Sequence, residues 1–450
     1  MLLARLRRAA YDGIAAAGTR RGRFMNMAHP ALDIRPERIE ADLEQLAKFT
    51  DPELPYTRRA FSPLYEAARA WLAVRFRDAG LDTRVDAAGN LIGRLGGGPG
   101  PALMLGSHID TVEAGGRFDG IVGVLGALEV VRCIREAGVA LSRPLEVVDF
   151  VCEEPTIVNL SPLGSRVMAG DVTTEMVAAA SAPSGEPLAE AIARLGGDAA
   201  RLADARRRPG DIAGYLELHI EQGPVLERAG VDIGVVTIVA APCRAVVSIT
   251  GAADHAGATA MPDRRDALAG AAELTLAVER IVSVPDIVQE SVGTVGFLRV
   301  TPNMVNVIPG RVDLTVEVRS TQREALTWAM EEIEGALREI SARRGLGSTL
   351  EWRHEEHPVP IPSEMQEIVA TAAANLHIPA MLLPSRASHD AARLAPVAPV
   401  GMVFIPCKNG RSHCPEEWAE LGDIVTGVRV LGGALILLDE AAQTTLSAPR

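Results

Sequence analysis

Hydrophobic positions along this chain follow two rhythms. In the first, short and largely apolar runs recur at "ALML" (102–105), "LEVVDFV" (145–151), "YLELHI" (215–220) and "VGMVFI" (400–405). Such runs suit strands buried on both faces of a parallel sheet. Between the first two, Ile121, Val124, Leu125, Leu128, Val131 and Ile134 keep helical spacing, and Gly138 supplies a stop. Strand, helix and strand in this order make a βαβ unit and predict an α/β fold. The Ala- and Arg-rich segment from about 178 to 210 reads as surface helices or an insertion.

The second rhythm runs from 243 to 356. "CRAVVSITG" alternates like a half-buried strand, "DRRDALAGAAELTLAVERIV" is helical, and "SVGTVGFLRV" and "GRVDLTVEVRS" are two more strands. "REALTWAMEEIEGALREISARRG" then reads as a long amphipathic helix and "STLEWRHE" as a last strand. The β-α-β-β-α-β order is the split βαβ pattern of a two-layer α+β domain. We therefore expect an inserted domain at 243–356 within a discontinuous first domain, 28–242 and 357–450. No internal repeat of 20 to 50 residues is evident.

Composition narrows the class. At 450 residues and 48% hydrophobic, the chain has material for a large core. Its net charge of −13 argues against nucleic acid or an anionic membrane as partner and favours a small molecule. No uninterrupted apolar run approaches the length of a spanning helix. Five scattered cysteines with no CxxC pair point to a reducing, cytoplasmic compartment. The Arg-rich stretch over residues 1–27 lacks a continuous apolar core and reads as a disordered arm or an upstream start rather than a secretory signal.

The candidate chemistry lies at the strand ends, where open α/β sheets bind their ligands. His108 and Asp119 follow the first strand, Glu153 and Glu154 the second; His219 lies in the third, and His413 follows the fourth. Singly, an aspartate among glycines is a turn residue, a Glu-Glu pair a solvated surface, and His219 a hydrogen-bonded core histidine. Together, at successive strand ends, they suit a pair of hydrolytic metals. Asp119 would bridge, His108 and His219 would complete one position, Glu154 and His413 the other, and Glu153 would remain as base. Adjacent glutamates at a strand end point to opposite sides, which suits one ligand and one free base. His29, His354, His357 and His377 lack such a setting, and Cys152 and Cys414 read as packing residues.

The segments "GSHIDTVEAGGRFDG", "EE...LGSR", "YLELHIEQGPVLE", "GAADHAGATAMPDRRDAL", "PNMVNVIPGRVDLTVEVRS" and "GRSHCPEEW" resemble, in order, the hydantoinase/carbamoylase family of amidases, relatives of the di-zinc exopeptidases. The resemblance spans about residues 30 to 440, and "ELHIEQGPVLE" is its most specific piece. It implies an aminopeptidase-like catalytic domain, a mixed sheet flanked by helices, and a lid domain that dimerises. It implies the metal ligands and the base named above, with Asp110 orienting His108. It also implies that His255, Asn306 and Arg319 of the lid hold the substrate, the histidine reaching across from the partner subunit, with Gln222 and His389 as further pocket residues.

Two stretches depart from the family pattern: "EEPTIVNLSPLGSR" replaces a Ser-Arg-Phe continuation, and "SRASHDA" stands where "GAGHDA" is usual, placing Arg386 and Ser388 beside His389. The expected activity is hydrolysis of the C–N bond of an N-carbamoyl-L-amino acid or related ureido acid by two divalent metals, Zn first, with Mn or Co also fitting N/O ligands. Allantoate, a β-ureido acid and an N-acyl or peptide-like amide are the rival substrates. A metal-free binding protein and a hydrolase using Cys152 are the rivals from other classes.

Overall fold

The computed structural model describes residues 32–96, 100–157, 160–284 and 291–446. The expected arm at 1–27 lies outside these residues, as does His29. The chain divides into two compact units. One comprises the described residues up to Thr237, Ile361–Leu383, and those from His389 on; the other comprises Ile238–Pro360 and Pro384–Ser388. The contact boundaries thus fall a few residues outside 243 and 356, and the second unit also takes in the "SRAS" turn.

A nine-stranded sheet is built from β1 (Asp82–Val85), β2 (Leu91–Leu95), β3 (Ala102–Ser107), β4 (Leu145–Asp149), β5 (Ile212–Ile220), β6 (Ile233–Val239), β11 (Val359–Pro360), β12 (Ala380–Ser385) and β13 (Val400–Ile405). Its order is β1-β2-β4-β3-β5-β13-β6-β11, with β12 pairing β6. The central strands β4, β3, β5 and β13 are parallel, whereas β1, β2 and β6 join antiparallel, which makes the sheet mixed. β3, β4 and β13 are buried along their whole length. Their continuous apolar runs thus reflect coverage on both faces.

Helix α1 (Ile121–Glu136) supplies part of that cover, with Gly138 at φ 65° just beyond its end. Gly123 and Gly126 let it lie close to the Leu218 backbone and side chain; a Cβ on Gly123 would sit 2.5 Å from the Leu218 carbonyl oxygen. The C-terminal helix α5 (Leu421–Leu446) is long and apolar enough to cross a membrane, although Asp423, Arg429 and Asp439 interrupt it. Most of that stretch is buried against α1, α4 (Ser363–Asn375), β5 and β13, so its apolar character serves the core.

The second unit is a four-stranded antiparallel sheet in the order β10-β7-β9-β8, from β7 (Ala241–Thr250), β8 (Val292–Thr301), β9 (Arg311–Ser320) and β10 (Gly347–Glu355). Helices α2 (Ala267–Val282) and α3 (Arg323–Arg344) pack on one face. Alternate residues Val312, Leu314, Val316 and Val318 of β9 meet Leu274, Val278, Ile333 and Leu337 in one core. Each such side chain contributes on the order of 1.5–3 kcal/mol by leaving water. Asp266 caps α2 by accepting from the N–H groups of Leu268 and Ala269, which starts the helix four residues later than the stretch read as helical from the sequence.

Candidate metal centre and active site

Five of the expected ligands meet at the carboxyl ends of the parallel strands. Asp119 is the shared member: Oδ1 lies 3.0 Å from His219 Nε2, and Oδ2 lies 3.0 Å from His413 Nε2. His413 Nε2 is also 3.4 Å from Glu154 Oε1. Two groups of donor atoms result, His108–Asp119–His219 and Asp119–Glu154–His413. All of these residues except His413 are buried.

Local backbone chemistry explains the convergence. His108 follows β3 directly, and beneath it the buried Arg58 donates Nε to Ile109 O and Nη1 to Leu46 O and Phe49 O. Burial pulls that guanidinium down to about 10 despite the carboxylates of Asp110 and Asp149. The glycines of "EAGGRFDG" create clearance. A Cβ on Gly120 would stand 2.3 Å from His108 Nε2, and one on Gly116 would stand 2.0 Å from the Glu417 carboxylate. Cys152, Gln222 and His413 all take left-handed φ values of 55–56°, an uncommon state that clusters at functional sites.

Glu153 and Glu154 lie beyond β4, which ends at Asp149. Their divergence therefore does not come from strand alternation, as we expected, but from a turn through Cys152. The Asp110 carboxylate pins that turn by accepting both N–H groups, Glu153 at Oδ1 and Glu154 at Oδ2, each at 3.2 Å. Glu154 then faces His413, and Glu153 Oε2 lies 3.7 Å from His108 Nε2. Asp110 thus orients the two glutamates as well as His108, whose Nδ1 contacts Asp110 O at 3.0 Å.

The electrostatics suit a cation. A carbonyl oxygen only accepts, so His108 Nδ1 carries the proton that it gives to Asp110 O, and His219 Nδ1 the one that it gives to Ile220 O at 2.9 Å. In the neutral imidazole, each Nε2 would then present a lone pair to carboxylate oxygens. That arrangement is repulsive unless positive charge lies between. Burial alone would lower the histidines; instead Glu153, Asp110 and Glu154 hold His108 well above its usual value, Asp119 and Glu217 hold His219 above it, and Asp119, Glu154 and Glu153 push His413 up to about 10. Burial pushes Glu154 up to about 7, with Asp119 adding to the effect and His413 opposing it. Glu153 is raised well above the carboxylate range by burial, against the pull of His108. Imidazole and carboxylate donors in such a pocket fit divalent zinc and its neighbours.

Gln222 sits beside the shared carboxylate, Nε2 donating to Asp119 Oδ2 at 2.7 Å, while its buried Oε1 has no protein partner. His389 is buried with its ring edge-on to His219 at 4.4 Å, and forms a third donor group with Glu217 and His219. Cys152 is buried 3.3 Å from Ser161 Oγ, and burial pushes its thiol well up, which opposes a thiolate nucleophile. In the second unit, the exposed His255 accepts the Gly257 N–H at Nδ1 (3.0 Å), leaving Nε2 to carry the proton. Ala256 N bonds Asn306 O at 3.0 Å, which holds the His255 and Asn306 loops together. Arg319 closes β9 with Nε 2.6 Å from Glu317 Oε1. Arg386 of the "SRAS" turn is exposed.

The sequence reading missed several residues of the site. Glu417 accepts the N–H groups of Phe118 and Asp119, Ser412 contacts Asp119, and Glu217 accepts from Ser107 at 2.7 Å. The signals were available: Ser412 and Glu417 lie inside "GRSHCPEEW", and Glu217 is an acid within a largely apolar strand.

With this geometry in view, residues 104–436 match peptidase family M20/M25/M40. The chain belongs to that family. Among its relatives, an N-carbamoyl-L-amino acid amidohydrolase of Geobacillus stearothermophilus is 39% identical over 401 residues, covering 88% of this chain and 97% of the relative. A ureidoglycolate hydrolase of Oryza sativa subsp. japonica is 37% identical over 417 residues, covering 89% and 84%. The crystal structure of a hydantoinase/carbamoylase family amidase from Burkholderia vietnamiensis superposes with a TM-score of 0.82 at 35% identity, over 91% of this chain and 98% of that one. The resemblance read from the motifs and the α/β fold are thus shown, and the chain carries donor groups that could hold metal ions.

Proposed function

We propose that this family member is a dinuclear-metal amidohydrolase that cleaves the C–N bond of an N-carbamoyl-L-amino acid or a related ureido acid. The observation that carries the metal reading is the single Asp119 carboxylate, with one oxygen facing His219 and the other His413. His108, Asp119 and His219 would hold one ion, and Asp119, Glu154 and His413 the other, zinc being the best fit and manganese or cobalt also compatible. When bound, such a pair polarises the scissile carbonyl and acidifies water.

Glu153 is the general base. It lies beside the ligands yet belongs to neither donor group, it takes the proton of the attacking water, and it returns a proton to the leaving nitrogen. His255, through Nε2–H, and Asn306 donate to the oxyanion. Gln222 Oε1 accepts a ureido N–H, His389 lines the pocket behind His219, and Arg319 takes the substrate carboxylate with its remaining fork. The relatives' names, both of ureido acid hydrolases, support this substrate class over an N-acyl amide.

A homodimer through the second unit belongs to the same reading; the exposed Val292, Phe297 and Leu298 on edge strand β8 support it. So does a reducing, cytoplasmic setting, supported by five free thiols. Light scattering and cell fractionation check these two points.

The test of function is ammonia release from N-carbamoyl-L-amino acids, N-carbamoyl-β-alanine and allantoate, with N-acyl amino acids followed by amine release. Turnover of a ureido acid that a chelator abolishes is expected. Cleavage of acyl amides alone would overturn the substrate class. Glu153→Gln should lower kcat by at least about 10²-fold with metal content intact; retained turnover removes it as base.

A further inference from the structure

Asp119 and His413 come from segments almost three hundred residues apart, and a single buried carboxylate joins them. Glu417 is 1% exposed. Its Oε1 accepts the backbone N–H groups of Phe118 at 2.7 Å and Asp119 at 3.1 Å. Its Oε2 lies 2.7 Å from the hydroxyl of Ser412, the residue before His413. Ser412 Oγ is in turn 3.0 Å from Asp119 Oδ2 and accepts Gln222 Nε2 at 3.2 Å. The neighbouring Trp418 packs edge-on to Phe118 at 5.6 Å, with the Arg117 guanidinium 5.5 Å from both rings. Gly116 leaves the space into which the Glu417 carboxylate reaches.

We infer that Glu417 is a positioning residue that locks the Ser412–Trp418 segment to the Gly116–Asp119 loop and so sets the spacing of Asp119 and His413, two of the three donors of the second metal position. The inference rests on the dinuclear reading above. Glu417 belongs to neither donor group, so its removal acts through the geometry of others. The His108–Asp119–His219 position keeps its two histidines, one directly after β3 and one on β5, which do not depend on this tie. The second position depends on His413, whose segment is fastened to the shared carboxylate through Glu417. Loss of the carboxylate therefore weakens the second ion more than the first, which shares Asp119 but keeps both of its histidines.

The experiment is a zinc titration of metal-depleted full-length protein against a chromophoric chelator, with elemental analysis after gel filtration. Wild type is expected to hold two ions per chain. Glu417→Ala should raise the dissociation constant of one ion by about 10–100-fold and that of the other by much less. Excess zinc should restore kcat with KM unaltered. Glu417→Gln keeps the shape and one acceptor for the two N–H groups, so it remains informative if the alanine variant does not fold, and should show a smaller, equally selective loss. Equal weakening of both ions, no weakening in either variant, or lost turnover at full occupancy would overturn the inference. A wild type that holds fewer than two ions would overturn the dinuclear reading itself.

Discussion

Replacing Gly120 by alanine tests the metal site through sterics alone. Gly120 has φ 68°, and an added Cβ would lie 2.3 Å from His108 Nε2, 2.4 Å from Cδ2 and 2.5 Å from Cε1. Two effects follow. With ψ at −39° the backbone lies outside even the left-handed helical basin, so alanine loses at least the roughly 1–2 kcal/mol that a positive φ costs an L-residue. The imidazole must also retreat by about 1 Å to reach ordinary contact distance, and the buried Ser107 and Ile109 on either side leave His108 little backbone freedom. A 1 Å displacement of a group that shapes a catalytic site costs roughly 10²-fold in rate. Gly138→Ala supplies the control: φ is 65°, and a Cβ there meets nothing within 4 Å. Urea unfolding of the metal-free proteins should show both variants destabilised, Gly120→Ala the more because of the clash with His108. Only Gly120→Ala should lose metal affinity and turnover, read by chelator competition and ammonia release. If the two variants keep equal activity, His108 is not a ligand and the first metal position is wrong.

Further outcomes follow from the same geometry. In metal-free protein His413 is pushed up to about 10 by its carboxylate partners and so holds a proton at neutral pH. Ion uptake must displace that proton, so affinity should rise with pH from about 6 to 9; calorimetry in buffers of different ionisation enthalpy should detect protons released, and pH-independent uptake would refute the assignment. Chelation should abolish activity, and zinc, manganese or cobalt should each restore part of it. Arg319→Lys keeps the charge but loses the planar fork; KM should rise about tenfold or more with little change in kcat, and an unchanged KM would leave Arg319 as a partner of Glu317 alone.

How much was legible along the chain can be read from particular elements. "VGMVFI" became β13 at Val400–Ile405, and the helical spacing after Asp119 became α1 at Ile121–Glu136, because burial on both faces of a strand or one stripe of a helix leaves a periodic trace. The candidate donors were legible because metal donors come from a short list of side chains and fall at strand ends. The turn that separates Glu153 from Glu154 was not: it depends on Asp110 accepting two N–H groups from a neighbouring segment. Helix α5 was not read either, since its charged residues interrupt the apolar run while its cover comes from elsewhere in the fold.

Local pattern and residue chemistry therefore settled the fold class, the β-α-β-β-α-β order of the inserted segment and the list of donors, because each of these is encoded within a few consecutive residues. Tertiary structure decided how those donors are shared. Which oxygen of Asp119 faces which histidine, and which carboxylate ties its loop to that of His413, depend on contacts between positions one hundred to nearly three hundred residues apart. Hydrophobic periodicity carries no record of such pairings, because they arise only when strand ends from distant segments are brought side by side and their polar groups must find partners away from water.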